Sequence, residues 1–161
     1  MRTPLSYGLA LVSVAVLGAA CSPAKPTAAP VPAPTQSGKP SVLPEFVVPS
    51  AGNSPFSGVV RVGNLLFVAG QIGVDSAKAG VAGETASALI HIRDLLRQSG
   101  SSLDRVAKCT VMLADMKDWA AMNEAYIKFF PPNKRPARSS FGTTGLALGA
   151  RLEIECIATV D

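Results

Sequence analysis

The chain has 161 residues, enough for one domain with a sizeable core; 48% of them are hydrophobic and 16% charged. The formal net charge is only +4, and the basic residues are dispersed without interleaved aromatic residues, which argues against a nucleic-acid partner. One histidine and three cysteines without Cys-x-x-Cys spacing argue against a structural zinc site. We therefore expect no metal, and no motif indicates a cofactor.

The chain begins with a pattern typical of a secretory signal peptide, predicted over residues 1–20. A short basic start precedes an apolar run that ends in small residues. The segment "LGAAC" resembles a bacterial lipobox, in which the cysteine, here Cys21, is lipidated. Gly18 stands where that motif usually has leucine. The alternative is simple secretion after cleavage near Ala20.

The next segment, residues 21–45, is rich in proline and alanine and has no hydrophobic period. Such a composition predicts an extended tether rather than a folded element. We expect an extracytoplasmic protein that touches the membrane only through an N-terminal lipid on the periplasmic side, or else is secreted. The folded domain is then predicted over residues 46–161.

The first half of the domain predicts a β-hairpin followed by a helix. Residues 58–62 and 65–74 are β-rich runs joined at Gly63-Asn64, a strong two-residue turn signal. Residues 84–100 carry apolar side chains at helical spacing, and Gly100 is a natural end for that helix.

The second half predicts a strand, a helix and two further strands. The strand covers residues 103–114, and Asp118 is predicted to cap a helix over residues 119–130. The last two strands lie in residues 138–144 and 150–160. One face of the second helix is predicted to contain Trp119, Met122, Tyr126 and Phe129.

The order β-β-α-β-α-β-β indicates an α+β fold with a mixed sheet and two helices on one face. Alternation in the last strand places Glu153 and Glu155 on the face that the helices leave open. An open, half-apolar sheet face predicts self-association, with any cleft between subunits. The residues predicted to face the helices are Leu152, Ile154, Cys156 and Ala158.

Two cysteines, Cys109 and Cys156, also fall on the helix-facing sides of their strands. They are either buried thiols or, if their strands are adjacent in an oxidising compartment, a disulfide. The single histidine, His91, lies in the middle of a predicted helix, so Ser139 and Ser140 lack the partner that a Ser-His-Asp triad needs.

The residues left for chemistry are Arg138, Glu153 and Asn123. Arginine is permanently charged, and its planar fork matches a carboxylate. A glutamate can orient or deprotonate water, and an asparagine can donate or accept a hydrogen bond. The alternative for the first two is an ordinary cross-strand ion pair.

Four segments together resemble the RidA family of YjgF-type reactive intermediate deaminases. They are "GNLLFVAGQIGV", "GSSLDRVAKCTVMLADMKDWAAMNEAYIKFF", "RPARSS" and "ALGARLEIECIA". The resemblance covers roughly residues 53–160, in order and without large gaps. It implies a chorismate-mutase-like subunit, a homotrimer, and active sites in the clefts between subunits.

The resemblance also implies roles for individual residues. Arg138 matches the arginine that binds the substrate carboxylate, Glu153 the glutamate that helps to handle the attacking water, and Asn123 the asparagine of the second helix. The chain departs from the family at two substrate-binding positions. Phe56 replaces a common tyrosine and Ala69 a common serine, and both changes remove a hydroxyl from the pocket.

The implied activity is metal-free hydrolysis of reactive enamine or imine acids to a 2-keto acid and ammonia. The substrate is then a small molecule that carries a carboxylate. The alternative is a non-catalytic protein of the same family that binds small carboxylates or acts as a chaperone.

Overall fold

The structure, a computed structural model, describes residues 42–161. The predicted signal peptide, the lipidation site Cys21 and nearly all of the predicted tether lie outside these residues. Within them, no helix is both long and apolar enough to cross a membrane. The elements are β1 Glu45–Val48, β2 Val59–Val62, β3 Leu65–Ile72, α1 Gly80–Gln98, β4 Val106–Leu113, α2 Trp119–Tyr126, β5 Ala137–Gly142 and β6 Leu152–Thr159.

The six strands form one sheet in the order β1-β2-β3-β6-β4-β5. The pair β4–β5 is parallel and every other neighbouring pair is antiparallel, so the sheet is mixed. Both helices pack on one face. The predicted α+β fold is therefore confirmed. Strand β1 was not predicted; it pairs with β2 and begins at Glu45, one residue before the predicted start of the domain.

The predicted hairpin is formed by β2 and β3, with Val62 opposite Leu65. Gly63, the first residue of the turn, has a φ of +62°, which side chains of L-residues rarely tolerate. This turn sets the register of β3. The register in turn determines which β3 side chains face the helices.

The core lies between the helices and the sheet. On β6 the predicted alternation is confirmed, because every second side chain from Leu152 onward is buried while Glu153 and Glu155 lie on the open face. Each fully buried leucine or isoleucine contributes about 1.5–3 kcal/mol to the free energy of folding. The core residues with no exposed surface include Leu66, Leu89, Ile92, Leu96, Val111, Leu113, Met122, Leu152 and Ile154.

Helix α1 begins at Gly80, four residues earlier than predicted, after a 3₁₀ turn over Val74–Ala79. Glu84 is therefore inside the helix and buried. Its carboxylate accepts a hydrogen bond of 2.8 Å from the Arg151 backbone N–H, and a carboxylate oxygen lies 3.6 Å from Arg151 Nε. This contact fixes the start of β6 against α1.

Helix α2 is shorter than predicted and ends at Tyr126, followed by a 3₁₀ turn. The predicted cap is wrong, because Asp118 already has a helical backbone after a 3₁₀ turn and makes no capping hydrogen bond. Asp115 caps that turn through the Lys117 N–H. Trp119, at the start of the predicted helix face, is 45% exposed, because the first turn of α2 is not covered by the sheet.

Cys109 and Cys156 are directly opposite each other on the adjacent strands β4 and β6, and their Cα atoms are 4.1 Å apart. Of the two alternatives, the structure has the disulfide. The bond lies in the core, on the helix side of the sheet. It joins the strand that carries Glu153 to the strand beside Arg138.

Candidate active site

Arg138 lies on β5, the edge strand next to β4. It is in register with Cys109, so its side chain extends to the helix side of the sheet and reaches α2. Arg138 Nη2 donates a hydrogen bond of 2.5 Å to Asn123 Oδ1, and Nη1 lies 3.8 Å from Met122 Sδ. The guanidinium carbon is 4.7 Å from the centre of the Tyr126 ring, which is cation–π distance. The candidate residues Arg138 and Asn123 are thus in direct contact.

The ring beneath Arg138 is held in place by packing. Tyr126 is 3% exposed, its ring centre is 4.9 Å from that of Phe130, and its hydroxyl has no hydrogen-bond partner within the described residues. Burial raises the pKa of Tyr126 to about 12, although the nearby positive charge of Arg138 opposes the shift. The phenol is therefore neutral at physiological pH and serves Arg138 as an aromatic surface.

Every contact that Arg138 makes within residues 42–161 is to a neutral group. No Asp or Glu oxygen in this part of the chain lies within ion-pair distance of its guanidinium. A half-buried cation without a counter-ion is costly, and an anion that approaches it gains charge-assisted hydrogen bonds. Arg138 is therefore poised to bind an anion.

A cavity of about 270 Å³ opens beside Arg138, between α2 and the approach to β5. Its size suits a small metabolite rather than a polymer. Two of the residues around it are cationic and none is acidic. The lining residues are Asn123, Tyr126, Ile127, Arg135, Pro136 and Arg138.

Glu153 lies on the open face of the sheet, on β6 next to β3. Gly70 on β3 faces its side chain so closely that a Cβ atom built on Gly70 would overlap the Glu153 carboxylate. The β3–β6 register is interrupted between Val68 and Gln71, and this irregularity brings Gly70 to that position. Because Gly70 has no side chain, it leaves the space that the Glu153 carboxylate occupies.

Phe56 and Gly70 also line a second cavity of about 390 Å³. Phe56 is 58% exposed and presents an apolar ring where the family commonly has a hydroxyl. Ala69, next to Gly70, is half-buried, and its N–H donates a 2.9 Å hydrogen bond to Gly58 O. With neither hydroxyl present, this side of the site is more apolar than the family pattern implies.

His91 lines the same cavity and is paired with an acid. Its Nε2 is 3.5 Å from one Asp75 oxygen, while Ser87 Oγ donates a 2.6 Å hydrogen bond to the other. The Ser87 hydrogen bond, helped by the charge of His91, lowers the pKa of Asp75. Ser87 and His91 both face the carboxylate rather than each other, so the three do not form a nucleophilic triad.

The structure does not bring Arg138 and Glu153 together within one chain. Their side chains extend from opposite faces of the sheet, and β4 lies between their strands, a lateral separation of about 10 Å for two strand spacings. Arg138 and Glu153 therefore do not form the cross-strand ion pair that was the alternative to a functional role for these two residues. The chain therefore carries two separate groups of candidate residues, which we call half-sites. The arginine half-site contains Asn123, Tyr126, Arg135 and Arg138, and the glutamate half-site contains Phe56, Ala69, Gly70 and Glu153.

Comparison with known proteins shows a match to the model of the endoribonuclease L-PSP family over residues 49–160. This family is the RidA/YjgF family indicated by the motifs. The chain belongs to the RidA family. Its match therefore spans all the strands from β2 to β6 and both half-sites.

Among RidA-family relatives, the chain is 36% identical to goat 2-iminobutanoate/2-iminopropanoate deaminase over 113 residues, 67% of this chain and 82% of that protein. It is 37% identical to Reactive Intermediate Deaminase A, chloroplastic, of Arabidopsis thaliana over 115 residues. That match covers 68% of this chain but only 61% of the Arabidopsis protein.

Solved RidA-family structures have the same fold. Yeast Mmf1 matches with a TM-score of 0.64 and 33% identity, covering 74% of this chain and 97% of that one. The Escherichia coli YjgF gene product matches with a TM-score of 0.61 and 28% identity, covering 70% and 94%. These matches confirm the chorismate-mutase-like subunit.

Three residues of the site were not identified as such from the sequence. Tyr126 and Asn123 are three residues apart on α2, so helical spacing could have placed the ring beside the amide. Arg135 is three residues before Arg138, but it lies outside β5, so strand alternation does not place it beside Arg138. Gly70 contacts Glu153 through strand pairing, which no local pattern encodes.

Within residues 42–161, no three or more His, Cys, Asp or Glu side chains form a group that could hold a metal ion.

Proposed function

We propose that this RidA-family chain hydrolyses 2-imino acids and their enamine tautomers to 2-keto acids and ammonia, using neither metal nor cofactor. The observation that carries the proposal is the Arg138 guanidinium, which is half-buried, oriented by Asn123 and Tyr126, and without a counter-ion in the described residues. The names of the deaminase relatives support the reaction class. The test is release of keto acid and ammonia faster than the uncatalysed reaction, from imino acids generated in solution.

The proposed reaction needs little from the protein. The imine R–C(=NH)–COO⁻ reacts with H₂O to give R–C(=O)–COO⁻ and NH₃, and its carbon is already electrophilic. Arg138 binds the carboxylate through its two-pronged fork and so orients the imine carbon. Glu153 orients the water, takes one proton from it during attack and passes that proton to the imine nitrogen. The second proton moves from the new hydroxyl to the same nitrogen as the carbonyl forms, and the nitrogen leaves as NH₃.

Because the two half-sites lie on opposite faces of one sheet, we place the active site between subunits of a homotrimer. The arginine half-site of one subunit then faces the glutamate half-site of the next. The open sheet face offers an apolar surface for this assembly, since Phe67 is 43% and Phe141 is 47% exposed. Uncovered apolar area of this kind favours association.

Trimer formation gives a direct prediction. Light scattering after size-exclusion chromatography of residues 42–161 should report about three times the subunit mass, because association buries the open face. The truncated protein used for this measurement should begin at Val42 rather than at Phe46, because β1 begins at Glu45. Phe67→Glu should shift the mass towards the monomer, whereas Ile90→Glu, on exposed α1 surface, should not. A stable monomer of the unmodified domain would contradict the shared site.

A second candidate function is binding without catalysis. The absence of both hydroxyls at Phe56 and Ala69 favours it, because each lost hydrogen bond weakens substrate positioning by about 0.5–1.5 kcal/mol. The arginine half-site would still bind a carboxylate in such a protein. Binding of a stable keto acid without imine hydrolysis would distinguish this function from the first.

We also propose that the domain works outside the cytoplasm, anchored by a lipid on Cys21. The Cys109–Cys156 disulfide supports this location, because structural disulfides persist in oxidising compartments and are rare in the cytosol. The bond is buried, so it is a structural disulfide rather than an exposed redox group.

The anchor is tested by metabolic labelling. Cells fed a fatty-acid analogue should label the full-length protein, and Cys21→Ser should abolish the label because it removes the acceptor thiol. Cys109→Ser is the matched control and should leave labelling unchanged. An unlabelled protein recovered free of membranes would show simple secretion instead.

A further inference from the structure

The arginine half-site contains a second cation that the proposed chemistry does not use. Arg135 lines the same 270 Å³ cavity as Arg138, and it makes no ion pair within residues 42–161. One carboxylate occupies the fork of Arg138. The exposed guanidinium of Arg135 therefore remains available to a second negative group on the same ligand.

The sequence around this cavity concentrates positive charge. Between Glu124 and Glu153 there is no acidic residue, although the chain as a whole has 11 acids. Such one-sided charge raises the local concentration of anions near a cleft. The cations in this interval are Lys128, Lys134, Arg135, Arg138 and Arg151. Arg151 is paired with Glu84 and Asp118 and does not line the cavity, so the other four carry the excess charge.

We infer that the arginine half-site prefers dianionic ligands, in which Arg138 binds the 2-imino or 2-keto carboxylate and Arg135 binds a second carboxylate at the far end. The inference rests on the proposed function for the role of Arg138. It adds a substrate class: imino acids formed from amino acids with acidic side chains. Hydrolysis of such an imine consumes one water, as in the proposed reaction, and yields a dicarboxylic 2-keto acid and ammonia.

The same charges do not favour RNA. Aromatic faces on which bases stack are a usual part of single-stranded RNA sites. Among the described residues that line this cavity, the only aromatic one is Tyr126, which is buried beneath Arg138. A cavity of about 270 Å³ holds a small molecule. Two guanidinium groups beside an open cavity of this size favour a short dicarboxylate.

The experiment is calorimetric binding of two stable keto acids to the full-length protein. 2-Oxoglutarate and 2-oxopentanoate have the same main-chain length and differ in the second carboxylate. We expect the protein to bind 2-oxoglutarate about three- to tenfold more tightly. The effect is below that of a buried charge pair, because Arg135 is exposed and screened by solvent. Raising the salt concentration should reduce the preference.

Variants assign the preference to one residue. Arg135→Ala should bring the two dissociation constants within about twofold of each other by weakening 2-oxoglutarate alone, since only this ligand contacts Arg135. Lys134→Ala removes the same charge from a neighbouring residue that does not line the cavity, and should preserve the preference.

Equal affinities in the unmodified protein, equal effects of the two variants, or no binding of either acid would overturn the inference. So would displacement of bound 2-oxoglutarate by a short oligoribonucleotide. The proposed hydrolysis is judged separately with the imine made from norvaline, which has no second carboxylate. A protein that hydrolyses this imine without preferring 2-oxoglutarate retains the function and loses the inference.

Discussion

Arg138→Ala is expected to lower kcat/KM for 2-imino acids on the order of ten- to a hundredfold or more. Hydrogen bonds to charged groups contribute about 1.5–3 kcal/mol, and the variant removes both prongs of the contact with the substrate carboxylate. The measurement uses imino acid formed by an amino-acid oxidase and O₂, with keto acid and ammonia followed above the uncatalysed rate. The loss should appear in KM as well as in kcat, because the carboxylate is bound before reaction.

Two controls separate binding from folding in that experiment. Arg138→Lys should recover little activity, since a point charge cannot reproduce the planar fork or its stacking on Tyr126. Arg93→Ala removes an exposed arginine that is paired with Asp94 on α1, and should leave both activity and Tm nearly unchanged. If the unmodified protein and Arg138→Ala both match the reaction without enzyme across several side chains, the hydrolase proposal fails.

The structure also explains why Arg138 could be identified from the sequence but its surroundings could not. A guanidinium among small and hydroxyl residues is visible in "RPARSS", and the alternation of β6 correctly predicted the face of Glu153. The position of Arg138 relative to Glu153 depends on the strand order β6-β4-β5. Periodicity reports which side of its own strand a residue occupies, but says nothing about which strand is its neighbour.

The errors in α2 have a similar origin. The residues Met122 and Tyr126 follow helical spacing and are buried, but Trp119 on the same predicted face is not. Spacing identifies a face, whereas burial requires a second layer over that part of it. Asp118 belongs to a 3₁₀ turn and lacks the extended backbone of an N-cap residue. The Asp118 carboxylate does not cap the helix and lies 3.8 Å from Arg151 Nη1.

Glu153→Gln is expected to lower kcat by about 10²- to 10⁴-fold, the usual contribution of a positioned acid–base group. The amide has nearly the same shape as the carboxylate, so packing against Gly70 is preserved while the ability to accept a proton from water is lost. KM should change little, because in the proposed mechanism Glu153 acts on the water after Arg138 has bound the acid. The same imine assay gives both constants.

The neighbouring residues make this test specific to the position of the carboxylate. Glu155→Gln is the matched control, since Glu155 lies two residues further along the same open face. Its replacement should leave kcat nearly unchanged, because Glu155 has no assigned part in the proposed reaction. Gly70→Ala should instead lower kcat while the fold survives, because the new methyl group must displace the mobile end of the Glu153 side chain. Equal losses for Glu153→Gln and Glu155→Gln would mean that the open face contributes only general negative charge. Retention of full activity in Glu153→Gln would remove Glu153 from the mechanism and leave positioning by Arg138 as the source of catalysis.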